Sequence, residues 1–313
     1  MSVAFILGQK NLNYEPAGLI ALYEQCTAVR DMYTKAAEWT GFEARLLVRL
    51  VEDESLRART TSIGLAAAML GIADVLGERG VRPAIVGGIS LGAMVAAALA
   101  GAVPRRQVME LLAHTGPDDG PERPDRPEGC AAVVLPLGQT YEDFYGTRPG
   151  VWFSGDFGMH TSGAFRMLLL SGYRDALDDL AAGYPAEYFV FSEEEVAVHS
   201  PLRHRARDVV ARLAATMDFT DPRVPMCSSL EPRVLHSAAL VRGEFSRNVV
   251  EPVRTDHLSG QMRRMGTRLG VVLGPTLPRD GFEFPFPVVY VDAPEHLDHV
   301  VAAIHEHDAL LAS

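Results

Sequence analysis

The stretch that most constrains this chain is Ile85-Val86-Gly87-Gly88-Ile89-Ser90-Leu91-Gly92-Ala93-Met94. Residues 83–86 are short, apolar and β-branched, which predicts a buried strand. Residues 94–102 are Ala-rich and predict a helix that Pro104 breaks. Between them lies Gly88-x-Ser90-x-Gly92, the pattern of a strand–turn–helix elbow. A side chain at 88 or 92 would collide with the neighbouring strand or helix. Ser90 would then sit on a strained turn at a helix N-terminus, where unpaired N–H groups and the dipole favour negative charge. Two readings stay open from these residues alone: a nucleophilic serine, or a close-packed turn without chemistry.

The chain has 313 residues, 48% hydrophobic and 22% charged, enough for one large domain with an inserted subdomain. No apolar run looks long enough to span a membrane, and the first residues lack a basic leader, so a cytoplasmic location is the default. A net charge of −11 argues against nucleic acid and anionic membranes as partners. Cys26, Cys130 and Cys227 are far apart and odd in number, as reduced thiols would be.

Residues 3–7 read as a first strand, closed by Gly8-Gln9. Residues 18–39, 42–51 and 63–79 have helical periodicity, the last ended by Gly80 at its C′ position. A helix feeding the elbow strand predicts a parallel α/β sheet. Residues 107–114 form another helix. Residues 116–127 are rich in Pro, Gly and Asp and predict a mobile loop and a boundary. Strands at 130–137, 151–154, 164–170 and 188–191, with helices at 141–145 and 173–182, then make a βαββαβ series of ferredoxin-like size. The expected division is 1–127 with 196–313 as the large domain and 128–195 as the insert.

A serine nucleophile needs a base. His199, in Val196-Ala197-Val198-His199-Ser200-Pro201-Leu202, stands where the insert ends and a helix begins. The residues alone leave open that it is merely a polar residue at a helix start. His296, His299, His305 and His307 lack thiol or paired carboxylate partners and read as a solvated helix face, so no metal is expected.

Five segments in order, spread over nearly the whole length, resemble the malonyl-CoA:acyl-carrier-protein transacylases and the acyltransferases of polyketide synthases. They are Phe5-Ile6-Leu7-Gly8-Gln9; Gly88-Ile89-Ser90-Leu91-Gly92; His199-Ser200-Pro201-Leu202; Arg247-Asn248-Val249-Val250-Glu251-Pro252-Val253-Arg254; and Leu273-Gly274-Pro275. The resemblance implies an α/β-hydrolase-like parallel-sheet core with an inserted ferredoxin-like βαββαβ subdomain. It implies ping-pong acyl transfer through a Ser90/His199 dyad, with the backbone N–H groups of Gln9 and Leu91 as oxyanion hole. A backbone carbonyl near Glu251 would orient the histidine. No bound cofactor is implied; the phosphopantetheine arm of coenzyme A or of a carrier protein is the substrate arm. The partners implied are an acyl carrier protein and an acyl-CoA or acyl-carrier-protein donor, in polyketide or other secondary metabolism, including antibiotic biosynthesis.

The sequence departs from that pattern where the acyl group would lie. Malonyl-specific members hold the substrate carboxylate with an arginine; here the ungapped register gives Thr115, beside His114. Ile89, Ala93 and Val198 also stand where polar or specificity-reading residues are usual. Arg105 and Arg106 lie earlier and are expected to face solvent. An unpaired buried carboxylate is expensive, so the expected substrate is a neutral acyl or aminoacyl unit, with Ile89, His114, Thr115 and Val198 around it. Alternatives are a malonyl transacylase, an editing acyl-carrier-protein hydrolase and a non-catalytic carrier-protein-binding homologue. Arg203, His204, Arg205, Arg207 and Arg212 form a basic helix face that would suit an acidic carrier protein, or simply solvent; Arg263, Arg264 and Arg268 are a weaker candidate patch.

Overall fold

The computed structural model describes residues 3–10, 14–115, 126–193, 195–279 and 281–307. The segment expected to be a mobile boundary loop, 116–127, falls largely outside them. The chain opens with β1 (Val3–Leu7), then α1 (Ala17–Gln25), α2 (Thr27–Thr40), α3 (Ala44–Val48) and α4 (Glu54–Glu78). β2 (Ile85–Gly88), α5 (Leu91–Leu99) and α6 (Arg105–His114) follow. The insert contains β3 (Glu128–Pro136), α7 (Tyr141–Phe144), β4 (Val151–Met159), β5 (Phe165–Tyr173), α8 (Arg174–Ala181) and β6 (Phe189–Phe191). The chain then gives α9 (His204–Ala215), β7 (Met226–Cys227), β8 (Val234–Leu235), α10 (Ala238–Val250) and β9 (Val253–Arg254). It closes with α11 (Thr255–Arg264), β10 (Leu269–Leu273), β11 (Val288–Val291) and α12 (His296–Glu306).

The main sheet has the order β11-β10-β1-β2-β7-β8. Its strands are parallel except β8, which runs antiparallel to β7. β1 and β2, central in that sheet, are buried at every residue, as strands covered on both faces must be. Ser90 follows the C-terminal end of β2, the edge at which parallel α/β sheets place their sites.

Helix α4 is apolar nearly all round, and its middle turns, from Leu65 to Leu70, are fully buried. It packs against α2, α3, α5, α6 and β10. Its portion Leu56–Glu78 is long and apolar enough to cross a membrane, which corrects the expectation that no run is; most of that length is buried within the protein. Gly80, with φ of 79°, terminates it as expected: Val81 N–H donates to Leu76 O at 2.8 Å. The helix expected over 18–39 is two helices, broken at Cys26, whose extended ψ of 116° ends α1 and caps α2.

The insert follows the βαββαβ order, and its sheet runs β6-β3-β5-β4-β9. The last strand is the exception: β9 belongs to the main body and pairs parallel with β4, Gly155 opposite Val253. The two parts of the protein therefore share backbone hydrogen bonds. An apolar cluster fills the seam, with Ile6 from the main sheet, Ile89 from the turn after β2, Phe157 and Leu169 from the insert, and Phe282 from the loop before β11.

Candidate active site

The elbow is built as its glycines require. A Cβ on Gly88 would lie 2.1 Å from the carbonyl carbon of Gly92, and one on Gly92 would lie 2.1 Å from Leu7 O. Both contacts are with backbone that cannot yield. Ile89 N–H donates to Leu7 O at 2.9 Å, which fixes the turn against β1. Ser90 then takes φ 56° and ψ −119°, a conformation that costs a non-glycine residue about 1–3 kcal/mol. Its carbonyl accepts from Asn248 Nδ2 at 3.0 Å and from Ala93 N–H at 3.1 Å.

His199 reaches the serine from the far end of the insert. Its Nε2 lies 3.0 Å from Ser90 Oγ. Its backbone is also in the left-handed region, with φ 51°. Two buried hydroxyls hold the segment: Ser171 Oγ donates to Val198 O at 2.6 Å, and Ser200 Oγ donates to Ala197 O at 2.7 Å. Burial lowers the imidazole pKa to about 4, an effect partly opposed by the backbone carbonyls of Asn248 and Glu251. The ring is therefore neutral at pH 7 and able to accept a proton. Neither carbonyl meets Nδ1 with hydrogen-bond geometry, and Nδ1 is buried without a partner among the described residues. The expected orienting carbonyl near Glu251 thus lies close enough to act on the ring electrostatically, and the Asn248 carbonyl acts beside it. The Glu251 side chain is turned to Arg247, which it meets at 2.7 and 2.8 Å.

By sequence, no family model and no curated protein matches the chain. By structure, the chain is similar to an acyl carrier protein S-malonyltransferase from Vibrio cholerae, with a TM-score of 0.79 and 21% identity over 96% of this chain and 100% of that one. It is similar to the malonyl-transacylase in a complex with a type II polyketide-synthase acyl carrier protein, with a TM-score of 0.81 and 18% identity over 97% and 100%. A malonyl-CoA:acyl carrier protein transacylase from Helicobacter pylori gives a TM-score of 0.81 and 17% identity over 98% and 99%. The chain has the malonyl-CoA:acyl-carrier-protein transacylase fold. The likeness runs the full length of these structures, so the core and the insert both belong to it.

Within the transacylase fold, the other expected site residues separate into two groups. Ile89 is fully buried in the apolar seam, and Val198 is half-buried against the same cluster. Leu91 opens α5, where a helix leaves its first N–H groups unpaired, and Gln9 follows β1 in the turn that Gly8 makes. That turn is tied down by Thr276, whose Oγ1 accepts from Gly8 N–H at 3.1 Å and donates to Leu273 O at 3.0 Å. His114 and Thr115 are bound to their own helix instead. His114 is exposed with Nδ1 2.7 Å from Glu110 O, and Thr115 Oγ1 donates to Leu111 O at 2.9 Å. Neither bonds to Ser90 or His199.

The arginines are largely committed elsewhere. Arg105 pairs with Asp74 at 2.6 and 2.7 Å and is half-buried, rather than facing solvent; Arg106 is exposed and meets Glu110. On the basic face, Arg205 and Arg212 are exposed, Arg203 is half-buried and Arg207 is paired with Asp208, which weakens the expected patch. Arg263, Arg264 and Arg268 are exposed around the end of α11. Three residues of the site escaped the sequence reading as individuals: Asn248, Ser171 and Thr276. Asn248 alone carried a signal, one turn before Glu251 in the quoted segment.

Proposed function

We propose that this protein is an acyltransferase that moves an acyl group from an acyl-CoA or acyl-carrier-protein thioester to an acyl carrier protein. The observation that carries the reading is the 3.0 Å contact of neutral His199 Nε2 with Ser90 Oγ on a strained elbow, within the transacylase fold. His199 takes the Ser90 proton as Oγ attacks the thioester carbonyl. The oxyanion would meet the N–H groups of Gln9 and Leu91. The C–S bond breaks, the leaving thiolate takes the proton from His199, and an ester on Ser90 remains. A phosphopantetheine thiol then gives its proton to His199 and attacks the ester; the C–O bond to Ser90 breaks, and His199 returns the proton to Oγ. Thioester to ester to thioester is nearly balanced, so the protein's task is to exclude water.

The acyl group we assign is neutral. Ile89 and Val198 flank the two reacting residues and belong to one apolar cluster with Phe157 and Phe282. An unpaired carboxylate there would cost several kcal/mol. The reading as a malonyl transacylase is favoured by one observation, that the similar structures named above are malonyl transferases. Intact-mass spectrometry after brief exposure to acetyl-CoA, malonyl-CoA and acyl-loaded carrier proteins separates the readings. Lasting addition of a neutral acyl group, absent in Ser90→Ala, supports the proposal. Lasting malonyl addition supports the second reading, and free acid formed from every donor indicates a hydrolase.

A further inference from the structure

A cavity opens away from Ser90. It has a volume of about 570 Å³ and lies at the opposite end of the main sheet, where β2 and β7 begin. Its walls come from α4, the segment before β2, the end of α5, the start of α6 and the segment before β7. Volumes of this size accommodate a small organic molecule.

The charge of this cavity contrasts with that of the chain. The protein carries a net −11, yet the charged residues lining this space are Arg82, Arg105, Arg223 and Asp74. Asp74 is already engaged by both terminal nitrogens of Arg105. Arg82 and Arg223 are exposed and meet no carboxylate among the described residues. Arg223 is nonetheless held in place. Its backbone N–H donates to Ala100 O at 2.8 Å, and its stem lies where a Cβ on Gly101 would meet Cδ at 3.3 Å. Helix α6 starts at the cavity wall with no acidic residue of its own in its first turn. The remaining lining is apolar, including Val81, Leu99 and Val224.

We propose that this cavity is a second ligand site, for a small organic anion whose carboxylate is taken by Arg82 and Arg223 and whose apolar body lies on Val81, Leu99 and Val224. Each guanidinium fork matches a carboxylate, and the neighbouring helix end adds to the attraction. The length of β2 separates the site from Ser90, so binding is independent of the acyl-transfer residues.

Isothermal titration with phenylbutyrate tests this, with phenylbutanol as the uncharged probe. The expected result is saturable binding of the carboxylate, with the alcohol at least tenfold weaker. Replacing both exposed arginines, Arg82→Ala with Arg223→Ala, should weaken the carboxylate at least tenfold, while Ser90→Ala binds it as the unaltered protein does. Arg105 is left intact because its pair with Asp74 ties α6 to α4. Equal affinity for alcohol and carboxylate, full affinity in the double variant, or no saturable binding would each overturn the proposal.

Discussion

Ser90 and His199 touch at 3.0 Å across 109 positions of sequence, and they are the non-glycine residues with positive φ among those described. Strained backbone survives only where its surroundings over-determine it. Here those surroundings are identifiable: Asn248 and the elbow glycines for the serine, Ser171 and Ser200 for the segment around the histidine.

The dyad makes a direct prediction. Ser90→Ala should abolish acyl-enzyme formation in intact-mass spectra. His199→Ala should keep the hydroxyl but lose the base, slowing acylation about 10²–10⁴-fold in single-turnover experiments. Acylation of Ser90→Ala at another residue would contradict the assignment.

The pH dependence follows from burial. A general base must be neutral to accept a proton, and burial lowers the His199 pKa from 6.5 to about 4. Acylation should hold its plateau down through 6.5 and fall only as pH approaches about 4. A single-turnover pH profile measures this; an acidic limb centred at the ordinary imidazole value would mean that the ring is not desolvated.

Asn248→Ala should leave the half-buried Ser90 carbonyl without its side-chain donor. Losing such a partner costs about 1–3 kcal/mol. The expected outcome is a lower urea midpoint together with slower acylation, since the turn that aims Oγ loosens. Unchanged acylation would show that Ala93 and the glycines suffice.

Two glycines predict opposite signs. Gly92→Ala forces a Cβ to within 2.1 Å of Leu7 O, and the elbow cannot form without backbone movement, costing about 3 kcal/mol or more. Gly77→Ala, in α4, meets nothing within 4 Å and should raise stability by about 0.5–1 kcal/mol. Chemical denaturation of both variants checks the pair.

Glu244 predicts a stability change without a role in the reaction. It is buried on α10 with one oxygen accepting from Ser228 Oγ, and burial raises its pKa from 4.5 to about 7. A raised folded pKa contributes most below 4.5 and is lost as pH rises through about 7. Relative to Glu244→Gln, the unaltered protein should lose on the order of 3 kcal/mol of stability across that interval. Parallel denaturation profiles for the two proteins would refute this.

The sequence revealed whatever was local. The elbow needs only neighbouring residues to declare itself, and the alternating strands and helices of 128–191 repeat often enough to expose the order of the insert. What depended on distant partners was hidden. The Asn248–Ser90 bond spans 158 positions, and β9 is two residues long, too short for any periodicity. The break at Cys26 also has no glycine or proline to mark it, since the chain changes direction there through an extended residue. His114 and Thr115 followed from an ungapped register, and their own helix claims both side chains.

The pairing of β9 with β4 also limits how this protein can be re-engineered. An exchange of residues 128–195 with another protein of this fold would carry away four strands and leave their fifth behind, two residues before the main body resumes its helices. The graft would have to include Val253 and Arg254, although they lie far downstream, or the transplanted sheet would present a bare edge. The exchangeable module is thus discontinuous in the gene although continuous in the sheet.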